Sequence, residues 1–179
     1  MTDTFIDPVD PETARQSGLG ARMGDLSLAG DEDATFIRIL AHVPGYAEAL
    51  WDAMSEALME GGVDHRLKEL IRIQLARTAN DPYFSERIRS KRAVQAGITE
   101  EDVDAASGDF ENDPRFTDPE KWALRYAYLM YRHPERVNAD FYAEGKQHFT
   151  EAQIMEIGGL IAIHYGMQVF MRTLQPDEL

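Results

Sequence analysis

The side chains of this sequence that can move a proton or grip an anion crowd into residues 67–97. Glu69 stands in Leu67-Lys-Glu-Leu-Ile-Arg-Ile, a run with apolar residues on two sides. On a helix of that kind a carboxylate is partly desolvated, and its pKa rises toward the range of a general base. The same side chain also reads as a structural group paired with Arg72 or another cation. Further on, Arg87, Arg89, Lys91 and Arg92 place four positive charges within six residues of a strongly acidic chain. Arg89 shares the small-residue side of its segment with Ser85, Ala93 and Ala96. There a guanidinium can grip a substrate carboxylate in a bidentate fork, or it can face solvent, a neighbouring subunit or Glu69.

Tyr83 and Ser85 open that segment, where free backbone amides favour an anion or oxyanion. Tyr83 either donates a hydrogen bond to a developing enolate or covers the Pro82 turn as a core aromatic. Ser85 has no Gly-x-Ser-x-Gly elbow and no adjacent histidine, so it reads as a binding group and not as a nucleophile. The five histidines are 42, 65, 133, 148 and 164. His164 and Tyr165 lie on the apolar last helix, so His164 is either a pocket residue or a satisfied core histidine. Glu144 with His148, and Glu156 with His164, are two-ligand pairs that lack an evident third ligand, and no metal is expected. No glycine-rich phosphate loop or dinucleotide fingerprint is present, so no cofactor is expected either.

These groups need helices to hold them. Pro44 suits a first helical position, with Ala47, Leu50, Trp51, Met54 and Leu58 following at helical spacing up to Gly61-Gly62. Asp64 is a fitting N-cap for a helix to about Asn80, whose two apolar sides mark it as central. Asp81-Pro82 breaks that helix, and another runs from Tyr83 to Ala96, with Gly97 as its terminator. Thr99-Glu-Glu-Asp102 resembles a capping box. Trp122, Tyr126 and Leu129 begin the next helix, His133-Pro134 interrupts it, and Val137, Phe141, Tyr142 and Gly145 continue. Thr150 with Gln153 caps the last long helix. No alternating run with hairpin chemistry occurs, so the reading is all-α, with seven or eight helices in one domain over 34–179 behind an amino-terminal arm, 1–33.

Composition sets the outer limits. The 179 residues include 32 Asp and Glu against 18 Lys and Arg, for a formal charge of −14, and no cysteine. Nucleic acid and anionic membrane surfaces need a cationic footprint, so neither is an expected partner. Without cysteine there is no disulfide, thiolate nucleophile or thiol redox cycle. The amino terminus shows no basic and then apolar leader, and no apolar run approaches the ~18 residues of a membrane span. A soluble cytoplasmic domain is the expectation.

The order of features over roughly residues 36–174 resembles the carboxymuconolactone decarboxylase family, which includes the alkylhydroperoxidase-D-like proteins. Glu69-Leu70 opens an apolar helix, a break follows, and the next segment ends Ala93-x3-Gly97 before Ile98-Thr-Glu-Glu. Phe116-Thr117 and Phe149-Thr150-Glu-Ala-Gln-Ile-Met-Glu-Ile then precede two helices. The resemblance implies an all-helical fold, assembly as trimers or hexamers, and a proton-handling Glu at position 69. Redox members carry Cys-x2-Cys-x3-His. Here those slots fall on Pro82, Ser85 and Arg89, or one residue earlier on Asp81, Phe84 and Ile88, so the dithiol and the histidine are gone. A dithiol peroxidase is therefore chemically impossible. The resemblance instead implies cofactor-free acid/base chemistry of lyase or decarboxylase type on a small, anionic organic acid or carbonyl compound. Glu69, Arg89 and Tyr83 would be catalytic, with Ser85 and His164 binding substrate. The alternative is a non-catalytic, oligomeric ligand-binding or accessory member.

Overall fold

The computed structural model describes residues 4–16, 18, 37–80, 91–95 and 97–174. Among these every regular element is helical: α1 (Pro11–Gln16), α2 (Pro44–Met59), α3 (His65–Thr78), α4 (Lys91–Gln95), α5 (Glu100–Ser107), α6 (Asp118–Arg132), α7 (Ala139–Gly145) and α8 (Glu151–Arg172), with a 3-10 turn over Pro134–Arg136. The all-α reading stands, and most boundaries fall at the expected signals. Pro44 is the first residue of α2. Asp64 caps α3 by accepting from the Arg66 amide at 2.9 Å. Thr99 and Asp102 exchange their capping-box hydrogen bonds at 3.2 and 3.1 Å. Thr150 and Gln153 do the same before α8. At the end of α3, Asn80 turns into the left-handed region with φ +54°, a conformation that Asn tolerates better than most residues.

The chain divides into two compact units, residues 56–168 and residues 1–55 with 169–179. In the first, α3 is the axis. Residues 67–76 are all buried, on every side of the helix. Leu67, Ile71 and Leu75 pack with Trp122, Tyr126 and Leu129 of α6 and with Ile154, Ile157, Leu160 and Ile161 of α8. Leu70 turns to Ala106, Phe110, Phe116 and Leu124, while Ile73 meets Ala93, Ile98 and Val103. A helix surrounded in this way gains little from its polar faces unless they are paired, and its buried charges are. Lys68 bonds the Glu60 carbonyl and the Glu156 carboxylate. Glu156 also accepts the amides of Gly62 and Val63 at 2.8 and 3.2 Å, which fixes the turn that enters α3.

In the second unit, Ile37, Leu40, Ala47 and Trp51 form a small cluster. Arg38 donates to the Val9 carbonyl at 2.6 Å, and the His42 ring reaches the Asp7 carbonyl at 2.7 Å.

α8 revises one expectation. Its 22 residues are long and apolar enough to cross a membrane by length and composition. Continuous apolar runs are short here because polar residues interrupt them, yet the average over the helix is high. Its Ile154, Ile157, Leu160 and Ile161 belong to the core cluster around α3 and α6.

Trp122 anchors that cluster. It is fully buried, its indole N–H donates to the Phe141 carbonyl at 3.0 Å, and its ring stacks on Phe141 with centroids 4.9 Å apart. A Cβ added at Gly145 would lie 2.3 Å from Trp122 Cζ2. The ring is held by its hydrogen bond and its stack, so it cannot yield cheaply. Gly145→Ala is expected to lower the unfolding free energy by about 2 kcal/mol despite the better helix propensity of Ala. Urea denaturation checks this; an unchanged or raised midpoint would show that the ring can move aside.

Candidate functional site

Glu69 projects from the middle of α3 and is 1% exposed. Its Oε2 lies 2.8 Å from Arg72 Nε, one turn along the helix. Its Oε1 lies 3.5 Å from His65 Nε2, one turn back. The spacing i−4, i, i+3 places all three on one helical face, so the cluster is a direct product of local sequence. His65 is the outermost member, with its side chain 11% exposed, whereas the Arg72 side chain is 7% exposed.

His164 approaches from α8 and is buried. Burial, and after it the Arg72 charge, push its pKa down to about 4, with Glu69 pulling the other way. The imidazole is therefore neutral at ordinary pH. Its Nε2 has no hydrogen-bond partner. The cluster thus joins an ion pair, a histidine close to solvent and a neutral buried histidine. Such a set can hand a proton along Glu69 and His65 while keeping a polar atom of His164 available.

Of the residues expected at the site, Glu69 and His164 are brought together. Glu69 carries the Arg72 pairing that was one of its two readings. Tyr83, Ser85 and Arg89 lie outside the described residues. Sequence reasoning passed over His65, although its position four residues before Glu69 was a legible signal. Gln168 of α8 was likewise not singled out. The two-ligand metal pairs are taken apart by other partners: Glu144 accepts from Arg125 at 2.9 Å, and Glu156 is bound to Lys68. Among the described residues no group of three or more His, Asp or Glu is placed to hold a metal ion.

Nearby, the Tyr126 and Tyr142 hydroxyls meet at 2.9 Å. Burial drives the Tyr126 phenol well above its usual range, so it stays protonated. At the start of α3, Arg66 joins Asp102 at 3.1 Å and Glu120 at 3.3 Å; burial raises the Asp102 carboxyl, but the Arg66 contact and the Thr99 hydrogen bonds together hold it below its usual range. That trio ties α3 to α5 and α6.

The sequence model of the carboxymuconolactone decarboxylase family matches residues 45–128, a stretch that includes His65, Glu69 and Arg72. Residues 45–128, just under half of the chain, thus carry the carboxymuconolactone decarboxylase pattern. They do so without a cysteine from which a Cys-x2-Cys motif could be made. No curated protein matches the chain. Among solved structures, a cysteine-to-alanine variant of the debrominase Bmp8 in complex with 2,3,4-tribromopyrrole is similar at TM-score 0.75 and 18% identity, covering 98% of this chain and 93% of that one. A peroxidase-related protein from Ralstonia eutropha JMP134, with an alkylhydroperoxidase AhpD core, is similar at TM-score 0.63 and 15% identity, covering 80% and 76%. Another peroxidase-related protein, from Silicibacter sp. TM1040, reaches TM-score 0.67 at 9% identity, covering 97% and 93%. At these identities the likeness is one of fold. The family match ends before α8, so His164 lies beyond it.

Proposed function

We propose that this chain is a carboxymuconolactone decarboxylase family member that catalyses cofactor-free proton transfer, of lyase or decarboxylase type, on a small organic acid or carbonyl compound. One observation carries the reading: a carboxylate 1% exposed, set between a guanidinium and a histidine, with a second, neutral histidine beside it. In this scheme Arg72 fixes Glu69 Oε2, and Glu69 Oε1 takes the substrate proton. His65 passes that proton toward solvent, and His164 orients the substrate. Proton transfer by a positioned side chain accelerates reactions by roughly 10²–10⁴-fold, which is the share asked of Glu69. The trimer or hexamer implied by the family belongs to the same reading.

The test is a panel of β-keto acids, γ-lactones and cyclic amides in D2O, followed by NMR for α-proton exchange or loss of carbon dioxide. The wild type is expected to accelerate at least one. Glu69→Gln, which keeps the shape and a hydrogen bond to Arg72, is expected to lose about 100-fold or more of that rate when assayed well below its own melting temperature. Full activity in Glu69→Gln would overturn the assignment. The presence of the Arg72 counter-ion favours a second reading, a ligand-binding member without turnover; binding with no turnover of any panel compound would select it.

A further inference from the structure

α8 carries polar atoms that the ion-pair cluster leaves unused. Gln168 is 3% exposed, and neither its Oε1 nor its Nε2 has a hydrogen-bond partner. One turn earlier, His164 Nε2 is unpartnered as well. Buried amides and imidazoles without partners are uncommon in folded proteins, because each forfeits the hydrogen bonds that water gave it in the unfolded chain. Two such residues four apart on one helix face the same spot. The electrostatic pull of Arg72 and Glu69 on His164 places that spot beside the candidate site.

The character of these atoms narrows what can satisfy them. His164 is held neutral and a carboxamide is always neutral. Among the described residues, the cation and the anion whose charges reach His164, Arg72 and Glu69, face each other at 2.8 Å. An incoming anion would be desolvated here opposite neutral dipoles, an expensive arrangement. A carboxamide presents an acceptor and a donor side by side, and a neutral imidazole adds one further contact. The complement is an N–H adjoining a carbonyl.

We propose that His164 and Gln168 form the recognition wall of the site for a small neutral ligand with an amide, lactam or imide edge, held by paired hydrogen bonds to the Gln168 carboxamide and a third to His164 Nε2. This deepens the proposed function by naming its substrate class as the neutral carbonyl compound and not the acid anion. It draws on residues outside the family-matched segment.

Succinimide and succinate test it on the full chain, since they share a carbon skeleton and differ in charge and edge. Binding is read from the His164 ring nitrogen resonances and from the shift in melting temperature. Succinimide is expected to move both, and succinate neither. Gln168→Leu is expected to weaken succinimide binding roughly tenfold, the effect of losing a pair of neutral hydrogen bonds. The same variant without ligand is expected to melt several degrees higher than wild type, because the unpartnered amide is gone; if leucine does not fold, Gln168→Met carries the same comparison. Succinimide binding with no turnover of any panel compound would leave this inference standing without the acid/base reading, and turnover by a chain that does not bind succinimide would do the reverse. The inference is overturned if succinate binds as well as succinimide. It is also overturned if Gln168→Leu keeps full affinity, or melts lower than wild type, which would mean that the amide is already satisfied in solution.

Discussion

Glu69→Leu is expected to lower the unfolding free energy by about 3–5 kcal/mol, the range for breaking a buried ion pair by removing one partner. The physical cause is the Arg72 guanidinium, which stays in the interior of α3 after its carboxylate at 2.8 Å has gone. Leucine fills most of the vacated volume, so cavity formation is a minor part of the loss. The double variant Glu69→Leu with Arg72→Leu is then expected to cost less than Glu69→Leu alone, because it removes both members of the buried pair. Urea denaturation of the two single variants and the double variant, with closely similar m-values, measures the coupling. Simple additivity of the two losses would show that the pair is energetically trivial. It would also remove the physical basis for a carboxylate held in one fixed orientation, on which the proposed proton transfer depends.

The second large effect is on pH dependence. His164 has a pKa of about 4 in the folded chain, against an ordinary value near 6.5. Between those values the unfolded chain binds a proton that the folded chain refuses, so stability is complete above pH 6.5 and falls as the pH drops toward 4. Each unit of difference corresponds to about 1.4 kcal/mol, so the loss across the window is on the order of 3 kcal/mol. Asp102 and Glu156 act in a lower window. Burial raises both carboxyls, but Arg66 with the Thr99 hydrogen bonds, and Lys68 with the Gly62 and Val63 amides, together hold them below the ordinary range, so their contribution is present above about pH 4.5 and is lost only below it. Denaturation profiles at about pH 7, 5.5, 4.5 and 3 separate the two. His164→Leu is expected to flatten the upper window and leave the lower one intact. An unchanged slope between pH 6.5 and 4.5 in that variant would mean that His164 is hydrated in solution.

These expectations depend on packing that the sequence discloses unevenly. Local chemistry was legible: the Pro44 start, the Asp64 cap, the Thr99 and Thr150 boxes and the central character of α3 each follow from residues within a few positions of one another. So did the face holding Glu69 and Arg72, and His65 belongs to it by the same spacing. What lay beyond reach was set by tertiary contact. Nothing within Gly158–Gln168 indicates that His164 comes beside Arg72, about ninety residues away, or that the Gln168 amide ends in the interior without a partner. Lys68 illustrates the same limit. On an amphipathic helix a lysine followed at once by a glutamate, as in Leu67-Lys-Glu-Leu70, would be read as solvated, yet it is 1% exposed because Glu156 meets it.

The Glu156 carboxylate has a consequence for how the chain reaches its native state. It gathers the Gly62 and Val63 amides and the Lys68 ammonium from a position some ninety residues later, so closing that loop sacrifices chain entropy well before the contact returns any enthalpy. A contact with such separation assembles late, after α3 and α6 have docked through nearer neighbours. The entrance to α3 is thus secured by one of the last fastenings to form, and the geometry around Glu69 matures only when the carboxyl-terminal helix has come home.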